Sequence, residues 1–437
     1  MVRVRFAPSP TGNIHIGNVR AALFNYIFAK KHNGKLILRL EDTDLERSTE
    51  ESAHSIIEDL EWLGIKFDEG PHVGGDYGPY KQTERLNIYM EYANKLLANG
   101  KAEKDFSHLE NDSDKDKTSY AIRLKAGGKK VILSDLVYGE VEKEIDDFII
   151  MKSNGIPTYH FAVVVDDHLM KISHVIRGKD HLDNTFKHIL IQDALGFDHP
   201  IYAHYSLTYG LSKRDQSKSI KSLREKGYLP QAIINIAMLL GWSPKDENEK
   251  FNIFDKLNEF DPKDFTKANS NFDEEKFNWL AGQYIREADL DRLVILSLPF
   301  LEKKGFSCEN NDFLKSIIDI ARAKIKCLSE LVEHVDFFFQ DITYESDEVK
   351  LFIKKPESQT VLKHFLLKVK ENPNLTENNF KTFLNDVQKD TNVKGKNLFM
   401  PVRIALTGKM HGSDMSLIAP ILGRETCIKR LEEAINN

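Results

Sequence analysis

Apolar and polar positions alternate at the amino end, where Val2, Val4 and Phe6 are interleaved with Arg3 and Arg5, and this period of two predicts a short strand. From Val19 the spacing changes to Ala22, Leu23, Tyr26 and Ile27, the period of a helix that begins between His15 and Asn18. Pro8, Pro10 and Gly12 punctuate a tight turn between the two. A second apolar run, Leu36 to Leu40, ends in Glu41-Asp42-Thr43-Asp44 and predicts a parallel strand. Its carboxyl end should lie beside the first turn, because a strand–helix–strand unit with parallel strands puts both carboxyl ends on one edge. Ser48 followed by Glu51 has the spacing of a capping box, and Ile56, Ile57, Leu60 and Leu63 continue a helix that Gly64 stops. A glycine-rich loop from Gly70 to Pro79 precedes a helix over Leu86 to Leu97.

Residues 105–119 are polar and read as an exposed connection, and strand-like stretches at 120–124, 131–137 and 147–151 predict a small mixed insertion. The apolar run Phe161 to Val165, ending in Asp166-Asp167, reads as a buried strand; His174 to Gly178 reads as another, leading into a helix over 181–195. The sheet is thus expected in two halves around the insertion. From about residue 220 helical periodicity dominates, so the carboxyl-terminal half is expected to be nearly all α. The Lys/Glu-rich stretches near 243–250 and 343–357 read as solvated linkers.

Composition adds little that is specific. A chain of 437 residues with 41% apolar and 29% charged positions is expected to fold as several soluble domains. No run of about 18 apolar residues occurs, nor a basic start followed by an apolar core, so neither membrane span nor signal peptide is expected and the cytoplasm is the default location. Cys308, Cys327 and Cys427 are few and widely spaced, which argues against a disulfide framework or a cysteine zinc site and for core positions. A net charge of −6 only weakly disfavours nucleic acid, since a large acidic protein can carry local basic faces.

Chemistry enters at the first turn. A helix starting near His15 aims free backbone N–H groups and its positive dipole end at that turn, which suits an anionic nucleotide. His15 can donate to a phosphate oxygen, and Gly17 lets backbone approach a ligand without a Cβ. A basic segment, Leu211-Ser212-Lys213-Arg214, follows the strand-like Pro200 to His204. Each alone has a plainer structural reading: a lone histidine at a helix start, a strand arginine at Arg5, an N-cap acid at Glu41, a core tyrosine at Tyr159. The set, at the carboxyl ends of successive inferred strands, does not.

Together the two signatures resemble the class I aminoacyl-tRNA synthetases, and the first resembles their bacterial glutamyl-tRNA synthetase branch. Arg5-Phe6-Ala7-Pro8-Ser9-Pro10-Thr11-Gly12 with His15-Ile16-Gly17-Asn18 carries the closest likeness. Leu40 to Asp44, Pro79 to Arg85, Pro157 to Phe161, Val175 to Gly178 and Gly227 to Pro230 are similar to family segments in family order. Met400 to Arg403 and Ala405 to Gly408 extend the likeness to the end of the chain.

The resemblance implies an α/β catalytic domain with a split Rossmann-type parallel sheet, a mixed α/β insertion and all-α carboxyl-terminal domains. The implied division is a catalytic half over 1–100, an acceptor-stem insertion over 101–155, the second catalytic half over 156–215, a helical stem-contact domain over 216–297, and anticodon-binding parts over 298–350 and 351–437. The implied reaction activates glutamate with ATP and Mg²⁺, then passes the acyl group to the terminal adenosine of tRNA(Glu), with tRNA(Gln) left open as a second acceptor. His15, Gly17 and Lys213 are the implied catalytic positions. Ser9, His15, Gly17, Asn18, Asp180, Leu211, Ser212, Lys213 and Arg214 would bind ATP; Arg5, Ala7, Ser9, Glu41, Tyr159 and Arg177 would bind glutamate. Arg322 or Lys324 would meet the anticodon. Asp42, Asp44, Asp166 and Asp167 are left outside the site. A monomer without structural zinc is expected, because the insertion has no cysteine and His108 stands alone there.

Three departures from the pattern stand out. The segment after Lys101 is short, Gly210 stands where the family's first lysine is expected, and His160 and Lys179 replace an amide and an acid at the edge of the amino-acid pocket. The alternatives are a tRNA-binding paralogue with impaired catalysis, motivated by Gly210, and a relative that glutamylates a tRNA base. The length of residues 290–437, about a domain, argues against the latter.

Overall fold

The computed structural model describes residues 1–107, 119–211 and 216–436. Two compact units divide the chain: residues 1–225 with 230–277, and residues 226–229 with 278–437.

In the first unit β1 (Arg3–Phe6) pairs in parallel with β2 (Lys35–Leu38), joined by α1 (Ile16–Lys31). The register sets Phe6 against Leu38, and Glu41 N–H donates to the Pro8 carbonyl at 3.0 Å, so Glu41 leaves the sheet beside the first turn as expected. All four β1 residues are buried, so the expected polar face of Arg3 and Arg5 does not face water. Arg3 forms a two-pronged ion pair with Glu69, at 2.7 and 3.0 Å. The next helix, α2 (Glu50–Trp62), is capped by Thr49, whose Oγ1 accepts from Ser52 N–H at 3.1 Å. The capping-box reading at Ser48 is therefore off by one position. Gly64, at φ +80°, follows the helix end as expected, since only glycine enters the left-handed region without a Cβ penalty.

After α3 (Leu86–Ala98), β3 (Ala102–Asp105), β4 (Ala121–Leu124) and β7 (Phe148–Met151) form a three-stranded antiparallel sheet. The remaining insertion strands, β5 (Lys129–Asp135) and β6 (Gly139–Ile145), do not stay in it. They join β8 (His174–Gly178) and β9 (Ile201–Tyr205) in the order β6-β5-β9-β8, where β8 and β9 are parallel. The insertion is thus less separate than the sequence suggests. β8 touches the first half through Ser173, whose N–H donates to the Arg3 carbonyl at 2.9 Å. The residues 108–118, which include His108, lie outside the described residues, as does most of the connection expected over 105–119.

One expected strand is a helix. Phe161 to Val165 lies within α4 (Tyr159–Leu169), in which every residue from Phe161 to Asp167 is buried. α5 (Leu182–Leu195) follows β8 and stops at Gly196, at φ +70°. α6 (Ile220–Glu225) and α7 (Pro230–Leu239) follow, and α8 spans Glu274–Glu287.

The second unit is helical throughout its described residues, from α9 (Leu290–Glu302) and α10 (Asn311–Ala321), through α11 (Leu331–Val335), α12 (Asp347–Ile353), α13 (Pro356–Glu371), α14 (Glu377–Thr391) and α15 (Lys396–Thr407), to α16 (Met415–Leu422) and α17 (Arg424–Asn436). Two apolar clusters fill it, one around Ile317, Leu331 and Val335, the other around Phe365, Phe380 and Leu431. Cys327 and Cys427 are core residues as expected; Cys308 is only half-buried.

Candidate active site

A cavity of about 590 Å³ opens at the carboxyl ends of β1 and β8 and the start of α1. It is lined by Arg5, Ala7, Ser9, His15, Gly17, Asn18, Glu41, Tyr159, Arg177, Asp180 and Leu211 together. The sequence-predicted residues of the first unit that the structure describes therefore meet in one place. Ser212, Lys213 and Arg214 lie outside the described residues. Leu211, before that segment, lines the cavity, and Ser219, after it, forms a bridge with His15. Gly210 has φ +81°, a conformation in which a lysine would be strained.

His15 is the N-cap of α1. Its Nδ1 accepts from Gly17 N–H at 3.0 Å, and its own N–H donates to Asn18 Oδ1 at 3.1 Å, a reciprocal box that fixes ring and turn together. Accepting at Nδ1 puts the ring proton on Nε2, which makes that nitrogen a donor for phosphate. Gly17 has a reason the sequence did not disclose: a Cβ there would sit 2.8 Å from His15 Cε1, so any other residue would push the imidazole off its cap.

Beneath the glutamate-pocket candidates lies a buried ionic frame. Arg5 Nε donates to Asp167 at 3.2 Å; Arg39 reaches Asp167 at 2.6 Å, Glu41 at 3.1 Å and Asp166 at 3.7 Å; Arg85 reaches Asp166 at 2.6 Å. Three guanidiniums thus face three carboxylates. Burial opposes charge on each, and the pairing answers it unequally. Burial would raise Asp167, but Arg5 and Arg39 hold it below the usual carboxylate range. Burial pushes Glu41 up despite Arg39 and Arg5, and Asp166 up despite Arg39 and Arg85. Arg39 is the hub: burial would lower it, and its three carboxylates instead raise it. Asp166 and Asp167, set aside on sequence grounds, support the frame rather than line the cavity, and Asp42 accepts from Thr83 at 2.7 Å.

On the other wall, Arg177 Nη1 donates to the Tyr159 hydroxyl at 3.4 Å, and that hydroxyl lies 3.1 Å from His181 Nδ1. Arg177 is also ringed by imidazoles. His204 lies 3.1 Å from its Nε, and His188 lies 3.4 Å from its Nη2. His160, flagged as a departure, contacts His188 at 3.3 Å behind Tyr159. Burial and then neighbouring cations, among them Arg177, lower His160 to about 4; burial, with Arg177 reinforcing it, lowers His204 to about 4. These rings are neutral near pH 7. Burial raises the Tyr159 phenol, so it stays protonated. Lys179 stands clear of the cavity lining, its ammonium 4.4 Å from the Tyr138 ring centroid.

Sequence reading did not find Arg20, which lines the cavity and lies 4.4 Å from the Tyr205 ring centroid, nor His181 and Asn184. Arg20 falls in the α1 apolar stripe, where a cation gives no periodic signal. In the second unit Arg322 is tied down by Asp319 at 2.5 Å and the Ala288 carbonyl at 3.2 Å. Lys324 lines a separate cavity of about 420 Å³ with Trp279, Arg286 and Lys326. Among the described residues no group of three or more His, Cys, Asp or Glu is arranged to hold a metal ion, and no helix is long and apolar enough to cross a membrane.

Comparison with known proteins bears directly on this cavity. The family model for the catalytic domain of class I tRNA synthetases (E and Q) matches residues 1–115 and 105–279, and that for an anticodon binding domain matches 292–435. A glutamate–tRNA ligase of Heliobacterium modesticaldum is 43% identical, covering 99% of this chain and 96% of that one. One from Bacillus subtilis is 40% identical, covering 99% of both. A crystal structure of a glutamate tRNA ligase from Elizabethkingia meningosepticum, in complex with its amino acid, superposes with a TM-score of 0.88 at 30% identity, covering 100% of this chain and 99% of that one.

Proposed function

Because the chain belongs to the class I tRNA synthetases of the glutamate and glutamine group, we propose that it attaches L-glutamate to the 3′ end of tRNA through a glutamyl-adenylate, consuming ATP. The observation that carries the reading is the meeting of two opposed features in one cavity. A helix start capped by His15 offers donors to phosphate, and Arg5 and Arg177 with Glu41 offer the charges that an acidic amino acid needs.

In this reading the side-chain carboxylate of glutamate is taken by Arg5, Arg177 and the Tyr159 hydroxyl, and its ammonium by Glu41, with Ala7 and Ser9 shaping the wall. Its α-carboxylate attacks the α-phosphorus of ATP, and pyrophosphate leaves. Most of the catalysis is positioning and neutralisation of growing phosphate charge. His15 Nε2–H and the positive end of α1 meet the phosphates, with Gly17 and Asn18 holding the cap that aims them; Ser9, Asp180 and Leu211 border the nucleotide. Ser212, Lys213 and Arg214 complete the ATP set, Lys213 answering the charge of departing pyrophosphate. Mg²⁺ arrives with ATP as part of the substrate, since the ion is commonly held by phosphates plus one or two carboxylates rather than by an all-protein cage. The acyl group then passes to the terminal adenosine of tRNA. Residues 101–155 take the acceptor-stem role, 216–297 the stem-contact role, and 298–350 with 351–437 the anticodon role, in a cytoplasmic monomer.

The test is charging of purified tRNA(Glu) and tRNA(Gln) with labelled glutamate, alongside ATP–pyrophosphate exchange with tRNA present. Glutamate-dependent charging is expected. Lys213→Ala is expected to lower exchange by about 10²-fold with glutamate KM nearly unchanged. tRNA binding without charging would point instead to the non-catalytic paralogue.

A further inference from the structure

The sequence names Arg177 as a carboxylate ligand and is silent on what aims it. The structure shows a chain of contacts behind it. Arg177 Nε donates to His204 Nε2 at 3.1 Å, and the other ring nitrogen of His204 lies 2.6 Å from Asp135 Oδ2. Both His204 and Asp135 side chains are wholly buried. The carboxylate is itself fixed, because Asp135 Oδ1 accepts from the Val137 and Tyr138 N–H groups at 2.9 and 3.0 Å. Arg177 Nε–H can only donate, so His204 Nε2 accepts from it and the ring proton sits on Nδ1, facing Asp135 Oδ2. Arg177 Nη2 is held by Thr185 Oγ1 at 2.7 Å and the His181 carbonyl at 3.2 Å, and the Thr185 hydroxyl also lies 3.1 Å from His204 Nε2, so it belongs to the same cluster. Nη1 is left with only the long contact to Tyr159 among the described residues, and Arg177 lines the cavity.

We infer that Asp135 and His204 are positioning residues, in which a carboxylate on the insertion strand β5 fixes the tautomer of His204 and thereby holds Arg177 ready for the side-chain carboxylate of glutamate. The inference rests on the glutamate reading above. β5 is seated for this by its parallel pairing with β9, where Asp135 lies opposite Tyr202, two residues before His204. The Tyr202 ring lies nearly parallel to the imidazole, at 11° and a centroid distance of 6.2 Å, as part of the buried surroundings of His204. Carboxylate–imidazole pairs elsewhere set a tautomer for a metal or a nucleophile; here the recipient is a guanidinium.

Three variants of the full chain separate positioning from mere packing. In Asp135→Asn the amide N–H faces Nδ1, which drives the ring proton to Nε2 and sets it against Arg177 Nε–H. Glutamate KM in pyrophosphate exchange with tRNA present is expected to rise about tenfold or more, with ATP KM within about twofold. His204→Asn reaches only the Nδ1 position and is expected to match it. His204→Gln carries its amide oxygen to the Nε2 position and is expected to hold glutamate KM within about threefold of the parent. ¹⁵N spectra of the imidazoles give a readout that packing would not move: His204 is expected as the Nδ1–H tautomer in the parent and Nε2–H in Asp135→Asn. An Nε2–H parent overturns the inference even if every variant misfolds. Unchanged glutamate KM in Asp135→Asn and His204→Asn, or a loss of kcat with both KM values intact, overturns it as well. A parent with no glutamate-dependent exchange overturns the glutamate reading instead, and the tautomer measurement still decides the arrangement of Asp135, His204 and Arg177.

Discussion

At the scale of the residue, the same charge type serves two ends according to its partner. Arg39 is consumed by its three carboxylates, whereas Arg5 spends only its Nε on Asp167 in the described contacts and still lines the cavity. Arg5→Gln is therefore expected to lower discrimination of glutamate against glutamine, since an amide accepts or donates where the guanidinium only donates. Relative exchange rates for the two amino acids, with circular dichroism unchanged, are the measurement; equal ratios in parent and variant would place Arg5 outside the pocket. Asp59 shows the cost of a carboxylate with a poor partner. It is wholly buried, neither oxygen is hydrogen-bonded, and Arg224 is 3.6 Å away. Burial pushes it up to about 6, with Arg224 only partly offsetting this. Because the folded carboxyl holds its proton more tightly than the unfolded one, stability falls as pH rises through roughly 4 to 6 and stays reduced above that window. Asp59→Asn is expected to raise stability at pH 7.5 by about 1–2 kcal/mol, a gain that fades toward pH 4. Denaturant midpoints at the two pH values test it.

At the scale of the element, legibility followed whether a segment has two unlike faces. β8 and α5 were readable because glycine punctuation and apolar periodicity agree in them, and α1 because His15 and Gly17 mark its start. α4 was not: with Phe161 to Asp167 all buried, it has no solvent face to print a 3.6-residue period, and Val163-Val164-Val165 add the β-branched bias of a strand. The link from Asp135 to His204 was equally invisible, since it joins an insertion strand to a residue 69 positions away. Most of the predicted cavity residues were readable because short motifs at strand ends and at the starts of α1 and α4 carry them, whereas Arg20, His181 and Asn184 lie outside those motifs. The start of α1 also permits a prediction in which capping and chemistry part. His15→Asn keeps an oxygen able to accept from the helix N–H groups, so stability is expected to stay within about 0.5 kcal/mol, while His15→Ala is expected to lose about 1 kcal/mol. Both variants lack the Nε2 donor, so pyrophosphate exchange is expected to fall about 10²-fold in each. A parental rate in His15→Asn would reduce His15 to a helix cap.

At the scale of the whole molecule, the net charge of −6 conceals where cations gather. In the second unit Arg286, Lys324 and Lys326 line one cavity beside Trp279, which is 47% exposed, and Glu330 and Glu333 share that lining. Lys326 is taken by Glu330 at 3.3 Å, and Arg322 by Asp319 and a backbone carbonyl, whereas Lys324 has no ion pair among the described residues. Of the two anticodon candidates Lys324 is therefore the better placed to meet RNA. A lysine is a point charge and reads base edges less selectively than the planar fork of an arginine. If Lys324 touches a base, Lys324→Ala is expected to change the ratio of charging between tRNA(Glu) and tRNA(Gln) by several-fold while the KM for ATP stays put. If it touches only phosphate, both tRNAs lose equally, and the slope of log affinity against log salt falls by about one contact. Initial charging rates for each purified tRNA at two salt concentrations distinguish the outcomes, and an equal loss with the reduced salt slope would remove Lys324 from anticodon selection.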